Sequence, residues 1–205
     1  METSGGDDSI PWERLYGGSP VEVLPWYLDR LDPDVDAALS ELDIHVPAVL
    51  DLGTGPGTQA IEMARRGFDA TGTDVSPSAV RKAAELAARQ KVACRFVEDD
   101  LLHTGITRTF DLVIDRGLLH NLSPVQRGVY VQKVWTLLRP GGHLMIKAYR
   151  SEKPVTSSRS PYYFTAPELA QLFGGCFEIL GIRQTVYHGT MVPAPASWFA
   201  ILRKR

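Results

Sequence analysis

Short apolar runs and segments of helical periodicity alternate along most of the chain. Residues 48–52 and 110–115 are mostly apolar runs, too short for typical helices, and both predict buried strands of a parallel sheet. Between them, residues 77–89 follow a good N-cap serine and carry an i, i+3, i+4, i+7 apolar face, which predicts a helix. That face consists of Val80, Ala83, Ala84 and Ala87. Strands alternating with helices predict an α/β fold.

The rest of the pattern extends this alternation. A helix introduced by Ser123 and Pro124 carries a stripe that we expect in the core and that includes Trp135. Residues 177–187 and 197–203 follow each other without a helix between them, which predicts an antiparallel hairpin that closes the sheet. The other predicted elements are strands at 69–74, 93–98 and 143–149 and helices at 59–66 and 166–173.

A glycine-rich turn joins the first strand to the helix after it. Gly53, Gly55 and Gly57 let the backbone turn sharply and allow a ligand to approach closely. Asp74 ends the second strand, roughly 20 residues beyond the first glycine, where an acid reaches ribose hydroxyls. The segment therefore predicts a nucleotide-binding βαβ unit, with a glycine turn of some other α/β protein as the alternative.

Two details of this turn indicate which nucleotide it binds. The third glycine, Gly57, comes one position earlier than in a dinucleotide fingerprint, and Thr58 stands in the expected place. Asp51 lies two residues before the first glycine, where a carboxylate repels a pyrophosphate but attracts a cationic amino group. The pattern favours a nucleoside that carries an amino acid over NAD.

The arrangement D-x-G-x-G-x-G, from Asp51 to Gly57, resembles motif I of the class I S-adenosylmethionine-dependent methyltransferases. The resemblance, which extends from about residue 45 to the end of the chain, implies a Rossmann-like sheet of seven strands. Most of these strands are parallel, the last is antiparallel, and helices cover both faces. It also implies S-adenosyl-L-methionine as cofactor, S-adenosyl-L-homocysteine as product, and Asp74 as the acid that holds the ribose.

An aromatic segment precedes the core. Residues 1–9 are rich in Gly, Asp and Ser and are expected to be disordered, whereas residues 10–47 carry aromatic side chains on segments broken by prolines. Such an arm can cap a bound ligand or only anchor itself on the core. Its W-E-R-x-Y and P-W sequences resemble the arm of small-molecule methyltransferases of the thiol, thiopurine and tellurite-resistance type. This resemblance implies a cofactor contact from Trp26 and, less surely, from Tyr16.

The ends of the third, fourth and fifth strands supply further candidates. An adenine ring needs a hydrogen-bond acceptor and apolar surface, which Asp99 or Asp100 followed by Leu101 can provide, and the resemblance favours Asp100. The fourth strand runs into D-R-G-x-x-H, which resembles the same group of methyltransferases. His120 is the only side chain of this motif that titrates near neutral pH, and it is a candidate base or a core histidine.

These considerations give two sets of candidate site residues. The catalytic candidates are His120, Arg116 and Tyr149. The cofactor contacts are expected from Trp26, Asp51, Gly53, Thr54, Gly55, Gly57, Asp74, Val75, Asp100, Leu101 and Asp115.

Composition narrows the class of protein. The 205 residues suffice for one domain, and a net charge of −2 without a basic stripe argues against a nucleic-acid partner. No apolar stretch is long enough to span a membrane and no signal layout opens the chain, so we expect a cytoplasmic monomer or homodimer. Two distant cysteines make no metal motif, and no metal is expected.

The predicted function is transfer of a methyl group from S-adenosylmethionine to a small molecule. The acceptor is expected to be a soft nucleophile, such as a thiol or a selenium or tellurium oxyanion, or a phenol or quinone. An NAD-dependent oxidoreductase and a non-catalytic binder of the cofactor remain as alternatives. A DNA amino-methyltransferase is disfavoured because the fourth strand ends in D-R-G-L instead of N/D-P-P-Y.

Overall fold

The computed structural model describes residues 12–44, 47–155 and 160–205. The tail expected to be disordered, residues 1–9, lies outside the described residues. Seven strands form one sheet in the order β3-β2-β1-β4-β5-β7-β6. The strands are β1 Ala48–Leu52, β2 Asp69–Asp74, β3 Arg95–Glu98, β4 Phe110–Arg116, β5 Leu138–Tyr149, β6 Phe177–Val186 and β7 Ala196–Lys204. The helices are α1 Trp12–Gly18, α2 Pro33–Glu41, α3 Thr58–Arg65, α4 Pro77–Arg89, α5 Pro124–Leu137 and α6 Ala166–Phe173.

The sheet has the topology that the strand and helix pattern predicts. Strands β1 to β5 pair in parallel, whereas β7 runs antiparallel to both β5 and β6. The expected Rossmann-like sheet with a reversed last strand is thereby confirmed. Because the chain crosses to opposite sides after β1 and β4, a crevice opens at the carboxyl ends of these two strands.

Alternation along β1 divides the core into two layers. Leu50 packs in the layer that contains Tyr130 and Val134 of α5, and neighbouring Val49 packs in the opposite layer with Met63 of α3. A strand buried on both faces needs apolar residues at consecutive positions, which explains the continuous apolar run in the sequence. The two layers confirm that helices cover both faces.

The helix starts follow the sequence signals closely. Helix α4 begins at Pro77, and its N-cap Ser76 accepts a hydrogen bond from the Ala79 backbone at 3.1 Å. Helix α6 begins after Thr165, which forms a capping box with Glu168. Within the described residues, no helix is long and apolar enough to cross a membrane.

One core prediction is wrong. Trp135 of α5 is 38% exposed, and its ring packs against the ammonium group of Lys204 at 3.7 Å. The apolar stripe of α5 that faces the sheet consists of Tyr130, Val131, Val134 and Leu137. Trp135 follows Val134 directly, about 100° further around the helix, so its side chain leaves the buried face. Its amphipathic ring suits the position beside a cation.

Candidate active site

A cavity of about 610 Å³ lies at the carboxyl ends of the parallel strands. One end is formed by the turns after β1, β2 and β3 and by the aromatic arm: Trp12, Tyr16, Trp26, Gly53, Asp74, Val75, Asp99, Asp100 and Leu101. The other end is formed by the segments after β4, β5 and β6: Arg116, Gly117, Leu118, His120, Asn121, Tyr149, Pro161 and Tyr187. We call these the turn end and the aromatic end.

The glycine turn is built around the carboxylate of Asp74. One carboxylate oxygen accepts a hydrogen bond from the Gly55 backbone and the other from the Ser76 backbone, each at 2.9 Å. Burial raises the pKa of Asp74, while these hydrogen bonds oppose the shift. Each carboxylate oxygen keeps a second lone pair, so Asp74 can still accept from ribose hydroxyls at the cavity wall.

Gly55 and Gly57 are required for two different reasons. Both have positive φ angles, and a Cβ on Gly55 would lie 2.5 Å from the hydroxyl of Tyr16 in the arm. A Cβ on Gly57 would lie 2.6 Å from the Cβ of Ala83 and 2.8 Å from the ring of Phe96. Gly57 does not line the cavity. A glycine is needed at this position because the turn packs closely against α4 and β3.

Asp51 is buried beneath the turn. Its carboxylate accepts hydrogen bonds from Thr54 Oγ1 at 2.5 Å and from the Ala60 backbone at 3.3 Å. Burial raises the pKa of Asp51 to about 7, and these two hydrogen bonds reduce the shift. Neither Asp51 nor Thr54 lines the cavity. The expected attraction between Asp51 and a cofactor amino group stays a prediction, whereas its hydrogen bonds with Thr54 and Ala60 hold the turn.

The segment after β3, where the sequence predicts the adenine contacts, lines the turn end of the cavity. Asp100 caps the turn Leu101–His103 through the Leu102 backbone at 3.0 Å and contacts His103 Nδ1 at 2.6 Å. Leu101 is buried, whereas Val75 is 52% exposed, and both line the turn end beside Asp100. Asp99 also lines the cavity and accepts a hydrogen bond from the Gly105 backbone at 3.0 Å, so the choice between the two acids stays a prediction.

The aromatic arm both covers the cavity and is anchored. Trp26 Nε1 donates to the hydroxyl of Tyr16 at 3.0 Å, and both rings line the cavity together with Trp12. Trp12 and Trp26 meet edge to face at 5.7 Å. Glu13 fixes α1 to the start of α4 by accepting hydrogen bonds from Ser76 and Ser78. The arm is therefore anchored on the core and lines the cavity, and its role as a cap over a bound ligand stays a prediction.

Asp115 and Arg116 are held by contacts within the protein, and the roles expected for them from the sequence stay predictions. Asp115 accepts from the backbones of residues 117, 118 and 119 and from the hydroxyl of Tyr130 at 2.6 Å, and it does not line the cavity. Its buried carboxylate shapes the segment that carries His120. Arg116 lines the cavity, but its guanidinium donates to Asp32 Oδ2 and to the backbone carbonyls of Trp26 and His188. The positive charge of Arg116 is thereby paired with Asp32 within the protein.

His120 differs from its neighbours because its ring nitrogen is unpaired. The side chain is 4% exposed and lines the cavity, and Nδ1 has no hydrogen-bond partner among the described residues. Burial lowers the pKa of His120 to about 3, so the imidazole is neutral at neutral pH. Its ring stacks on Tyr149 at 4.3 Å with an interplanar angle of 15°. An unpaired acceptor in a buried position costs stability, and such sites often have a function.

The cavity residues that were not among the predicted site residues include Trp12, Asn121 and Tyr187. Tyr187 lies far along the chain in the segment between β6 and β7, and its hydroxyl donates to the Arg116 backbone carbonyl at 2.5 Å. Asn121 lies one residue after His120 and donates to the Gly117 carbonyl at 2.6 Å. Asn121 follows a recognised motif, which is a usable signal, whereas nothing local marks Tyr187 as a site residue.

The turn end fits S-adenosylmethionine. A glycine turn without room for side chains, an acid with free lone pairs at the end of β2, and apolar surface beside Asp100 match its amino-acid, ribose and adenine parts. Residues 49–142 match the methyltransferase domain family.

Relatives and solved structures agree with this fit. The 2-heptyl-1-hydroxyquinolin-4(1H)-one methyltransferase of Mycobacteroides abscessus is 26% identical over 78% of this chain and 73% of its own length. One solved structure concerns the conversion of a disulfide bond into a thioacetal group during echinomycin biosynthesis, and it is 26% identical to this chain with a TM-score of 0.78. The alignment covers 94% of this chain and 91% of that chain.

A third similarity includes bound ligands. The 1,6-didemethyltoxoflavin-N1-methyltransferase of Burkholderia thailandensis, solved with S-adenosylhomocysteine and 1,6-didemethyltoxoflavin, has a TM-score of 0.69 and 27% identity. The alignment covers 84% of this chain and 76% of that one. The fold, the matched domain and these relatives show an S-adenosylmethionine-dependent methyltransferase. Within this class the chain is similar to enzymes that methylate small molecules. The alternative of an NAD-dependent oxidoreductase is therefore not retained.

Proposed function

We propose that this enzyme methylates a hydroxyl group of a small molecule and that His120 accepts the proton of that group. The observation that carries the proposal is the side chain of His120, whose neutral imidazole lines the aromatic end of the cavity. A neutral imidazole nitrogen accepts a hydrogen bond, so it suits an acceptor molecule that arrives with its proton in place. A phenol satisfies this condition at neutral pH, because its pKa lies near that of tyrosine.

Bound S-adenosylmethionine supplies the methyl group. The bond between the methyl carbon and sulfur breaks as the bond to the acceptor oxygen forms, and its electron pair stays on sulfur, which gives S-adenosylhomocysteine. The residues at the aromatic end have to align the oxygen and remove its proton. His120 is a weak base with a pKa of about 3. As the oxygen loses electron density it becomes far more acidic than an imidazolium, so its proton can move to the imidazole of His120. The proton passes to solvent once the product leaves.

Soft nucleophiles fit the site less well. A thiol ionises partly near neutral pH and needs little help from a base, so it would leave the imidazole of His120 without a role. A selenium or tellurium oxyanion carries negative charge and no proton that His120 has to remove. The similarity to a methyltransferase named for a hydroxyquinolone supports a hydroxylated acceptor.

The test compares two acceptors in one variant. We expect His120→Phe, which retains a ring against Tyr149, to lower kcat for 1-naphthol by ~100-fold or more, the usual contribution of general base catalysis. Transfer of labelled methyl to benzyl thiol should fall much less. His143→Ala, which removes a half-buried histidine at the other end of β5, serves as the control. Equal rates of the variant and the wild type with 1-naphthol would contradict the role of His120.

The remaining parts of this proposal concern the setting of the enzyme. We place it in the cytoplasm as a monomer or homodimer without a nucleic-acid partner. The net charge of −2 and the two unpaired cysteines, Cys94 and Cys176, support this setting.

A further inference from the structure

We infer that residues 187–190, between β6 and β7, hold the aromatic arm in the position that binds S-adenosylmethionine, with Gly189 and Thr190 as positioning residues. We call residues 187–190 the clasp. Gly189 and Thr190 do not line the cavity, and they act on the cofactor through Trp26 of the arm. The inference goes beyond the proposed function, because it concerns the cofactor and does not depend on which acceptor is methylated.

The first argument is that three consecutive backbone carbonyls of the arm accept hydrogen bonds from outside the arm. The Leu24 carbonyl accepts from Thr190 Oγ1 at 3.1 Å, and the Pro25 carbonyl accepts from the Thr190 backbone at 3.0 Å. The Trp26 carbonyl accepts from Arg116 Nη1 at 2.8 Å. The main chain that carries the Trp26 ring is thereby fixed by the clasp and by the end of β4.

The second argument is the close approach of Gly189 to the same part of the arm. A Cβ on Gly189 would overlap the carbonyl oxygen of Pro25 and would lie 3.2 Å from the Cα of Trp26. Both of these atoms belong to the backbone and cannot rotate away as the end of a side chain can. Gly189 is not among the described glycines with a positive φ angle, so its conformation does not require a glycine. The reason for a glycine here is the space that the arm occupies.

The third argument is that the clasp is itself fixed to the strands of the sheet. The Tyr187 hydroxyl donates to the Arg116 carbonyl at 2.5 Å, and the Tyr187 backbone donates to the Pro195 carbonyl at 2.7 Å. His188 Nδ1 contacts Lys147 Nζ at 3.1 Å, and the His188 carbonyl accepts from Arg116 Nη2. The clasp therefore connects the arm to β4 and β5 by contacts on both of its sides.

This connection determines where Trp26 lies at the turn end. The Trp26 ring lines the cavity, and its Nε1 donates to the hydroxyl of Tyr16, which also lines the cavity. An aromatic ring that is already in position loses less conformational entropy on binding than a ring that has to be ordered by the ligand. Release of the clasp should therefore weaken binding of the cofactor while the glycine turn and Asp74 stay in place.

Titration calorimetry with S-adenosylhomocysteine tests the clasp without an acceptor. We expect Gly189→Ala to raise the Kd at least about tenfold, because the arm then has to be ordered as the ligand binds. Gly181→Ala is the matched control, because it adds the same methyl group in β6, where a Cβ would have no contact within 4 Å among the described residues beyond its chain neighbours. The control should keep the wild-type Kd. A wild-type Kd in a folded Gly189→Ala protein overturns the inference.

A second measurement distinguishes positioning of Trp26 from a general effect on stability. In a Trp26→Ala protein, the further change Gly189→Ala should alter the Kd for S-adenosylhomocysteine by less than about twofold, because the ring that the clasp positions is gone. A purely structural role of Gly189 would instead give the same rise in Kd with and without Trp26. That result would show that Gly189 does not act through Trp26, and the inference would fail.

Thr190 provides an independent test if Gly189→Ala does not fold. Thr190→Val removes the hydroxyl that donates to the Leu24 carbonyl but keeps the backbone N–H and the shape of the side chain. We expect it to raise the Kd for S-adenosylhomocysteine about threefold, whereas Thr190→Ser, which keeps the hydroxyl, should bind as the wild type does. Equal Kd values for Thr190→Val and the wild type would refute the clasp. These measurements involve no acceptor, so their outcome is independent of the role proposed for His120.

Discussion

The imidazole of His120 shows how one side chain can be costly for the fold and useful for the chemistry. The ring is buried, its Nδ1 has no hydrogen-bond partner in the described part of the chain, and burial lowers its pKa to about 3 from an ordinary value of 6.5. A histidine with a lowered pKa binds protons more readily in the unfolded chain than in the folded protein. This group therefore does not lower the free energy of unfolding above pH 6.5, where both states hold the neutral imidazole. The free energy of unfolding decreases as the pH falls from 6.5 toward 3.

This linkage gives a prediction for acid stability. Because this histidine is protonated in the unfolded chain at pH 5, the free energy of unfolding should fall by about 2 kcal/mol from pH 8 to pH 5. In His120→Phe this part of the decrease should be missing. The measurement is the difference in free energy of unfolding between variant and wild type, by urea denaturation at each pH. Other titrating groups cancel in that comparison, including Asp51, whose raised pKa acts in the opposite direction. A difference independent of pH would contradict the depressed pKa of His120.

At the same scale, the sequence predicts some site residues better than others. Asp74, Val75, Asp100 and Leu101 line the turn end as expected, because their positions follow from strand ends that periodicity locates. The carboxylate of Asp115 instead points into a set of backbone N–H groups. The spacing of residues places an acid at an edge of the sheet, but it does not determine which way its oxygens face.

At the scale of elements, α1 is fixed to α4 through one carboxylate. Glu13 accepts hydrogen bonds from Ser76 Oγ and Ser78 Oγ, each at 2.6 Å, and from the Ser78 backbone at 3.0 Å. The hydrogen bonds from Ser76 and then Ser78 lower the pKa of Glu13 to about 2, so the carboxylate is ionised at neutral pH. A negative charge at a helix N-terminus also interacts favourably with the helix dipole.

We therefore expect Glu13→Ala to release the arm while the sheet stays folded. Trypsin should cleave after the exposed Arg14 severalfold faster than in the wild type, because local opening of the arm becomes easier. Affinity for S-adenosylhomocysteine should fall as well, since Tyr16 and Trp26 lose their fixed position over the turn. Glu22→Ala, which changes another exposed acid of the arm, is the matched control. Cleavage at the wild-type rate would show that Glu13 does not hold the arm.

On the scale of the whole molecule, the seven strands and the reversed last strand could be predicted, but the contacts that hold the arm over them could not. Periodicity and the two consecutive strands at the end of the chain locate the strands, and the family resemblance implies how they form one sheet. Closure instead depends on contacts between residues far apart in sequence, such as Arg116 with the carbonyl of Trp26 and Thr190 with the carbonyl of Pro25. The partners of such contacts carry no local signature, so the sequence predicted an aromatic cap without the bonds that hold it.

A buried charge cluster completes this closure. Asp32, at the start of α2, contacts Lys147 Nζ of β5 at 2.5 Å and Arg116 Nε of β4 at 2.9 Å. Lys147 also contacts Asp34 at 2.6 Å and His188 Nδ1 at 3.1 Å. Asp32, Asp34 and His188 come close enough together to hold a metal ion, but the ammonium of Lys147 already pairs with both carboxylates. Burial raises the pKa of Asp32, and the charges of Lys147 and Arg116 more than reverse this shift.

Removing one charged side chain of this cluster should lower the free energy of unfolding more than removing two of opposite charge. Lys147→Met leaves the carboxylate of Asp32 buried with incomplete compensation, and we expect it to lower the free energy of unfolding by about 3–5 kcal/mol. Asp32→Asn combined with Lys147→Met removes both charges while the amide oxygen can still cap α2, so the double variant should recover part of that loss. Lys153→Met, at an exposed lysine, should change stability by less than about 0.5 kcal/mol. Urea denaturation of the wild type, Lys147→Met, Asp32→Asn and the double variant measures the coupling, and strictly additive losses would show that Asp32 and Lys147 do not act as a pair.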